Sequence, residues 1–286
     1  MGRYSKILVA VDGSEAAFHA LRESFKLAAY EKCWITAVSV VPRYEGDLEL
    51  VGLRDVRDSL RRPCESALAE ALSIAKSQGA LIKAVCKEGE PYERIVDLAE
   101  AENCDLIIVG RTGKSALQRV LIGSVASRII GYSHCDVVIV PPQAPLGWEN
   151  ILFPTDGSRF STAAGTKAVD FAKSYGGGLT VLNVIDVPPE FYAEASSKVV
   201  DEMVARAHKR VSVIRELAEA SGVMAKGLIR EGREAHEAIL ELARETQINV
   251  IVMGSHGRTG LRRLLMGSVA EKVIGYSPCP VLVVKT

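Results

Sequence analysis

The sequence predicts an α/β protein made of two tandem, doubly wound, Rossmann-like domains, each a parallel sheet with helices on both faces. Three observations predict it. Apolar β-type runs alternate with helical patterns along all 286 residues. A glycine pattern recurs 144 residues apart, as Gly110-Arg111-Thr112-Gly113, nine residues, Gly123-Ser124, and as Gly254-Ser255-His256-Gly257, nine residues, Gly267-Ser268. A stretch with three prolines, Pro141 to Gly147, separates the copies and reads as a short, stiff linker. Residues 105–140 align with 249–284 without a gap, 17 of 36 positions being identical. The same offset lays Ile7–Ser14 on Ile151–Ser158 with five of eight residues identical. The expected domains are therefore 1–142 and 148–286, with 143–147 as linker, each near the usual domain size.

In the first half, strands are expected at 6–11, 34–41, 81–86, 105–109 and 137–140, with helices at about 15–31, 55–78, 92–102 and 124–131. The second half repeats the strands at 150–155, 179–185, 224–230, 249–253 and 281–284. These strands read as continuous Val/Ile/Leu runs, as strands buried on both faces do, and right-handed crossovers then place the helices. Ser14 and Ser158 stand where N-caps belong, and Gly79 and Gly222 where helices end. Gly176-Gly177-Gly178 also reads as a helix end rather than a phosphate loop. Pro63 conflicts with the second helix, which is expected either to kink there or to start there. Ligands of open α/β sheets sit beyond the carboxyl ends of the strands, where strand order reverses. Asp12 and Asp156 end the first strand of each half, Val40 and Val184 the second, and the glycine loops follow the fourth.

Hydrophobic residues make up 48% and charged residues 24%, as in ordinary globular domains. With 35 basic and 35 acidic side chains there is no global field to favour nucleic acid or an anionic membrane. The chain runs from Met1 straight into a strand without a signal-peptide pattern, and no run is long enough to span a bilayer, so a cytoplasmic protein is expected. The six cysteines, at 33, 64, 86, 104, 135 and 279, include no Cys-x-x-Cys pair and read as buried, reduced thiols.

A strand feeding a glycine loop and then a helix N-terminus presents backbone N–H groups to phosphate. Gly110 and Gly113, with Gly254 and Gly257, are expected to admit a ribose and α-phosphate close to the backbone and to adopt unusual dihedrals. Gly123, Ser124 and Val125, with Gly267, Ser268 and Val269, open the next helix, where N–H groups and serine hydroxyls suit further phosphates. Ser124 also suits an N-cap, and Asp12 a helix-capping role. Arg111, Ser255 and His256 lie inside the loops, and His256 suits a phosphate hydrogen bond better than catalysis. Gly113-Lys114-Ser115 looks like the tail of a Walker A loop, but its first glycine would fall on Ile108. Lys114 and Arg258 fit equally a positive charge near phosphates and a solvated face. No histidine or carboxylate set has metal-ligand spacing, and neither half shows a general base or arginine finger, so no catalytic residue and no side-chain metal site is expected.

These residues resemble the universal stress protein family, in a tandem form, over essentially the whole chain. The Gly-x-x-Gly, nine-residue spacer, Gly-Ser pattern resembles that of the family's ATP-binding branch. The resemblance implies an adenine-nucleotide-hydrolase-like fold with five parallel strands in the order 3-2-1-4-5. It implies ATP or AMP as ligand, Mg²⁺ accompanying ATP, and the strand-end aspartates at the nucleotide, bonding either ribose hydroxyls or a phosphate-bound Mg²⁺. Val40 and Val184 would meet adenine through backbone groups. It further implies pairing of Val137–Val140 with Val281–Val284 as an intrachain pseudo-dimer, possible homodimerisation, and regulation of a protein partner. Two other readings stay open. One is a slow ATPase or another enzyme of the hydrolase-like fold, although such enzymes carry a Ser-Gly-Gly-x-Asp-Ser type loop where this chain has Asp12-Gly13-Ser14 and Asp156-Gly157-Ser158. The other is a nucleotide-free assembly module. The connections Arg43–Arg62 and Asp186–Lys198 differ most between the halves, as a lid or a partner surface would.

Overall fold

The computed structural model describes residues 4–42, 55–113, 122–185, 197–232, 234–257 and 266–286, with the side chains of 55–60 and 197–198 also left out. Lys114, Arg258 and most of the two divergent connections lie outside the described residues. The chain divides into two compact units, Met1–Gln143 and Ala144–Thr286.

The first unit runs β1 (Lys6–Ala10), α1 (Glu15–Glu31), β2 (Trp34–Val41), α2 (Asp55–Ser77), β3 (Ile82–Glu88), α3 (Pro91–Ala101), β4 (Leu106–Gly110), α4 (Ser124–Tyr132) and β5 (Asp136–Val140). Its strands are all parallel, in the order β3-β2-β1-β4-β5, so the order reverses between β1 and β4. The second unit repeats this with β6 (Asn150–Pro154), α5 (Arg159–Tyr175), β7 (Gly178–Ile185), α6 (Ser197–Ala220), β8 (Ala225–Glu231), α7 (Ala235–Glu245), β9 (Val250–Gly254), α8 (Ser268–Tyr276) and β10 (Val281–Val284). Its parallel order is β8-β7-β6-β9-β10.

Central strands are buried because both faces carry helices: Ile7, Leu8, Leu106, Ile107, Leu152, Val250 and Ile251 expose nothing. Local chemistry fixes the ends. Ser14 and Ser158 each accept a 3.2 Å bond from a backbone N–H three residues on, at Ala17 and Ser161, and cap α1 and α5. Gly79, Gly176 and Gly222 take positive φ just past helix ends. Asp105 accepts from the N–H groups of Ser5 and Lys6, and Asn249 from that of Asn150, which pins the first strand of each unit to the strand beside it.

Three expectations are corrected. The helix containing Pro63 does not start there, since α2 begins at Asp55 and continues through it. Ser124 is the first helical residue, and Gly123 holds the N-cap position. Cys64 and Cys86 are not free thiols: the packing of α2 on β3 brings their Cα atoms to 6.3 Å and a disulfide joins them. The other four keep the expected form, with Cys104 and Cys279 buried and Cys33 and Cys135 half-buried. Burial raises all four thiols, Cys33 and Cys279 to about 11 and Cys104 to about 12.

Candidate functional site

Each unit has a cavity at the carboxyl ends of its strands, beside the switch in strand order. That of the first unit is about 390 Å³ and is lined by Asp12, Val40, Gly110, Arg111, Gly113, Gly123, Ser124 and Val125. That of the second is about 430 Å³ and is lined by Asp156, Val184, Gly254, His256, Gly257, Gly267, Ser268 and Val269. Ser255 is the exception among the described residues expected at the sites. It is buried with its hydroxyl 3.0 Å from Nδ1 of His256, so it orients that ring from behind.

The aspartates are oriented by the turn that follows the first strand. Oδ1 of Asp12 accepts from Ser14 N–H at 2.9 Å, and Oδ1 of Asp156 from Ser158 N–H at 3.0 Å. Gly13 and Gly157 take φ of 80° and 77° there, the conformation that tight turn needs. The other carboxylate oxygen faces the glycine loop: a Cβ at Gly113 would lie 2.5 Å from Asp12 Oδ2, and one at Gly257 2.8 Å from Asp156 Oδ2. A side chain at either glycine would therefore displace the aspartate.

The dihedral role expected for the loop glycines is corrected. Gly110, Gly113, Gly254 and Gly257 all lie outside positive φ. Gly110 ends β4 where a Cβ would press within 2.9 Å of the Ala16 backbone on α1, and Gly254 meets Phe160 at the start of α5 in the same way. These two glycines let a helix seat against the central strand. The roles of Gly123 and Gly267 are corrected too, because their N–H groups donate to the carbonyls of Arg111 at 2.8 Å and Ser255 at 2.9 Å and are not available to a ligand. These bonds join residues on either side of each nine-residue spacer. The N–H groups that remain for an anion are those of the first helical turn, from Ser124 in α4 and from Ser268 in α8.

The walls differ between units. In the first, Arg111 lines the cavity half-buried, and desolvation holds its guanidinium below the ordinary arginine value. In the second, His256 leans on Phe160 with ring centroids 5.4 Å apart, and Arg159 stacks over the same ring. Asn183 donates from its amide to the carbonyl of Thr155, while its buried Oδ1 has no partner among the described residues. Sequence reasoning did not single out Thr112 on the first cavity, or Met203, Arg206 and Arg210 on the second. The last three come from α6, and no motif marks them. No group of three or more potential metal-ligating side chains is found among the described residues.

Comparison with known proteins places this geometry. The universal stress protein family model matches residues 3–141 and again residues 147–285. The chain belongs to the universal stress protein family. Universal stress protein MJ0531 of Methanocaldococcus jannaschii is 38% identical over 141 residues, which cover 48% of this chain and 82% of that protein. A universal stress protein of Mycolicibacterium smegmatis is 26% identical over 98% of this chain and 96% of its own length. A universal stress protein structure from Archaeoglobus fulgidus superposes with a TM-score of 0.72 at 24% identity, covering 98% of this chain and 96% of that one. The α/β fold repeated in tandem is thus shared with the Archaeoglobus fulgidus protein over nearly all of both chains, and this chain is a tandem universal stress protein. Among the described residues, no helix is long and apolar enough to cross a membrane.

Proposed function

We propose that this tandem universal stress protein binds an adenine nucleotide, ATP or AMP, in one or both units, and that occupancy regulates a protein partner in the stress response. The observation that carries the reading is the convergence, in each unit, of three groups on one cavity of nucleotide size: a first helical turn, a strand-end carboxylate and the end of the second strand. Ser124 and Val125, or Ser268 and Val269, hold phosphate through backbone N–H groups, with the helix dipole adding attraction. Asp12 or Asp156 offers Oδ2 to a ribose hydroxyl or to the Mg²⁺ that accompanies ATP. Val40 or Val184 lies where adenine packs. Arg111 supplies a cation in the first unit, and His256 a hydrogen-bonding ring in the second. The protein acts as a cytoplasmic regulator with at most weak ATPase activity, without nucleic-acid or membrane binding. Pairing of the last strands within one chain, or between chains, belongs to the same proposal.

Native mass spectrometry of freshly purified protein, followed by chromatography of the released small molecules, tests this reading. ATP, ADP or AMP at one or two equivalents per chain supports it. No nucleotide, and none taken up from added Mg-ATP, replaces it with the assembly-module reading.

A further inference from the structure

The second helix of each unit packs in the same register, and this exposes a difference between the cavities. On α2 the buried positions are Cys64, Ala67, Leu68, Ala71 and Ala75, and on α6 they are Ala207, Val211, Ile214 and Ala218, whose spacing is that of Cys64, Leu68, Ala71 and Ala75. Arg206 therefore stands where the first unit has Pro63, and Arg210 where it has the buried Ala67. Both arginines line the second cavity. Arg210 lies across the turn that carries Asp156, since a Cβ at Gly157 would fall 2.8 Å from its Nε and 3.0 Å from its Cδ. Arg206, one helical turn earlier, is held by an exposed 2.9 Å ion pair with Glu202. Both arginine side chains thus line the cavity from α6, Arg206 paired with Glu202, whereas the first turn of α8 enters it from the side of β9. Among the described residues, the first cavity sets one cation, Arg111, against Asp12, and the second sets two against Asp156.

We propose that Arg206 and Arg210 form a second anion subsite, specific to the second unit, that takes a further phosphoryl group of the ligand. This inference rests on the nucleotide reading above. The α8 turn holds one phosphate, and the planar guanidinium forks suit another at the α6 wall. Two sources share that chemistry: a longer 5′-phosphate chain, or a phosphate on the ribose beside Asp156. The first unit has Pro63 and Ala67 at these positions, and among the described residues no α2 side chain lines its cavity, so it gains little from the added group.

The test uses full-length protein with one unit blocked, by Gly113→Val to leave the second site or by Gly257→Val to leave the first. Calorimetric titrations with AMP, ADP and adenosine 3′,5′-bisphosphate are compared as affinity ratios. With the second site alone, ADP or the bisphosphate is expected to bind at least about tenfold tighter than AMP. That ratio is expected to fall below about threefold in Arg206→Gln/Arg210→Gln and to return in large part in Arg206→Lys/Arg210→Lys. With the first site alone it stays below about threefold. A gain with ADP identifies a 5′ chain, and a gain confined to the bisphosphate identifies a ribose phosphate. AMP binding with a flat ratio at the second site, or a ratio untouched by the glutamine variants, overturns the inference and leaves the nucleotide reading standing. If no adenine nucleotide binds either unit, that reading falls and inorganic pyrophosphate decides the inference. Binding weakened about tenfold by the glutamine pair supports an anion subsite, and no arginine-dependent binding removes it.

Discussion

Where the second helix meets the third-sequence strand of its unit, the two halves solve one packing problem in different ways. In the first unit Cys64 on α2 bonds covalently to Cys86 on β3. In the second, the residues at the same register are Ala207 on α6 and Ile229 on β8, part of an apolar cluster with Ile185, Met203 and Val204. Cys86 pairs with Ser39 and Ile229 with Asn183, so the match follows from the sheet and not only from sequence alignment. The lesson is that duplication kept the strand-end aspartate and the glycine spacing of the loop, while the packing of α2 and α6 on their sheets diverged. One side became a cross-link, and the other became apolar packing with two arginines above it.

The largest expected contrast comes from the loop glycines. Gly113→Val and Gly257→Val each drive a side chain into the aspartate of their own unit, an overpacking cost of about 3 kcal/mol to that unit's fold, and displace the carboxylate from its cavity. Each variant is expected to remove one binding equivalent and spare the other. Calorimetry that finds both sites weakened by either variant would break the idea of independent cavities.

Reduction of the disulfide comes next. It closes a loop with a sequence separation of 22, worth about 3 kcal/mol of unfolding free energy in the first unit alone. Hydrogen exchange, read on peptides of each unit with and without reductant, should show faster opening of α2 and β3 and no change in α6 and β8. The double change Cys64→Ala/Cys86→Ile copies the second unit's contact and should leave the first unit indifferent to reductant. Continued sensitivity in that variant would assign the effect to another cysteine.

Smaller and symmetrical effects are expected at the caps. Ser14→Ala and Ser158→Ala each remove one N-cap bond and should cost about 1 kcal/mol in their own unit. Unequal losses in denaturant titrations would show that α1 and α5 are not equivalent supports.

The smallest contrast lies in the alkaline limb. Burial, the main cause, raises three thiols in the first unit, Cys33, Cys104 and Cys135, and one in the second, Cys279. An acid raised in the folded state contributes stability that is complete below its unfolded value, near 9, and is lost as pH climbs toward about 11 or 12. Above pH 9 the first unit should therefore lose stability sooner, which exchange or thiol labelling across pH 8 to 11 would detect. Equal loss in both units would refute the burial argument.

Most of the fold was legible because its signals are local. The Val/Ile/Leu runs marked every strand to within two or three residues, and Ser14, Ser158, Gly79 and Gly222 sat at the helix ends that their side chains and dihedrals favour. The aspartates and helix-opening serines were legible because a strand–loop–helix pattern forces them to one end of the sheet. The glycines line the cavities as their spacing suggests, but the dihedral role expected of them does not hold. Their spacing marks the loop, but whether a missing Cβ serves a dihedral, a helix contact or a carboxylate depends on neighbours about a hundred residues away, as with Gly110 against Ala16 and Gly113 against Asp12.

By itself, then, the sequence determined the duplication, the parallel α/β architecture and the set of residues gathered at each cavity, because periodicity, caps and turns act over a few residues. Only the tertiary structure decided that Cys64 reaches Cys86, that Gly123 and Gly267 spend their N–H groups closing the loop, and that Arg206 and Arg210 face a cavity where the first unit has Pro63 and Ala67. Those outcomes depend on the register of a helix against a sheet. Only packing of the whole face determines that register.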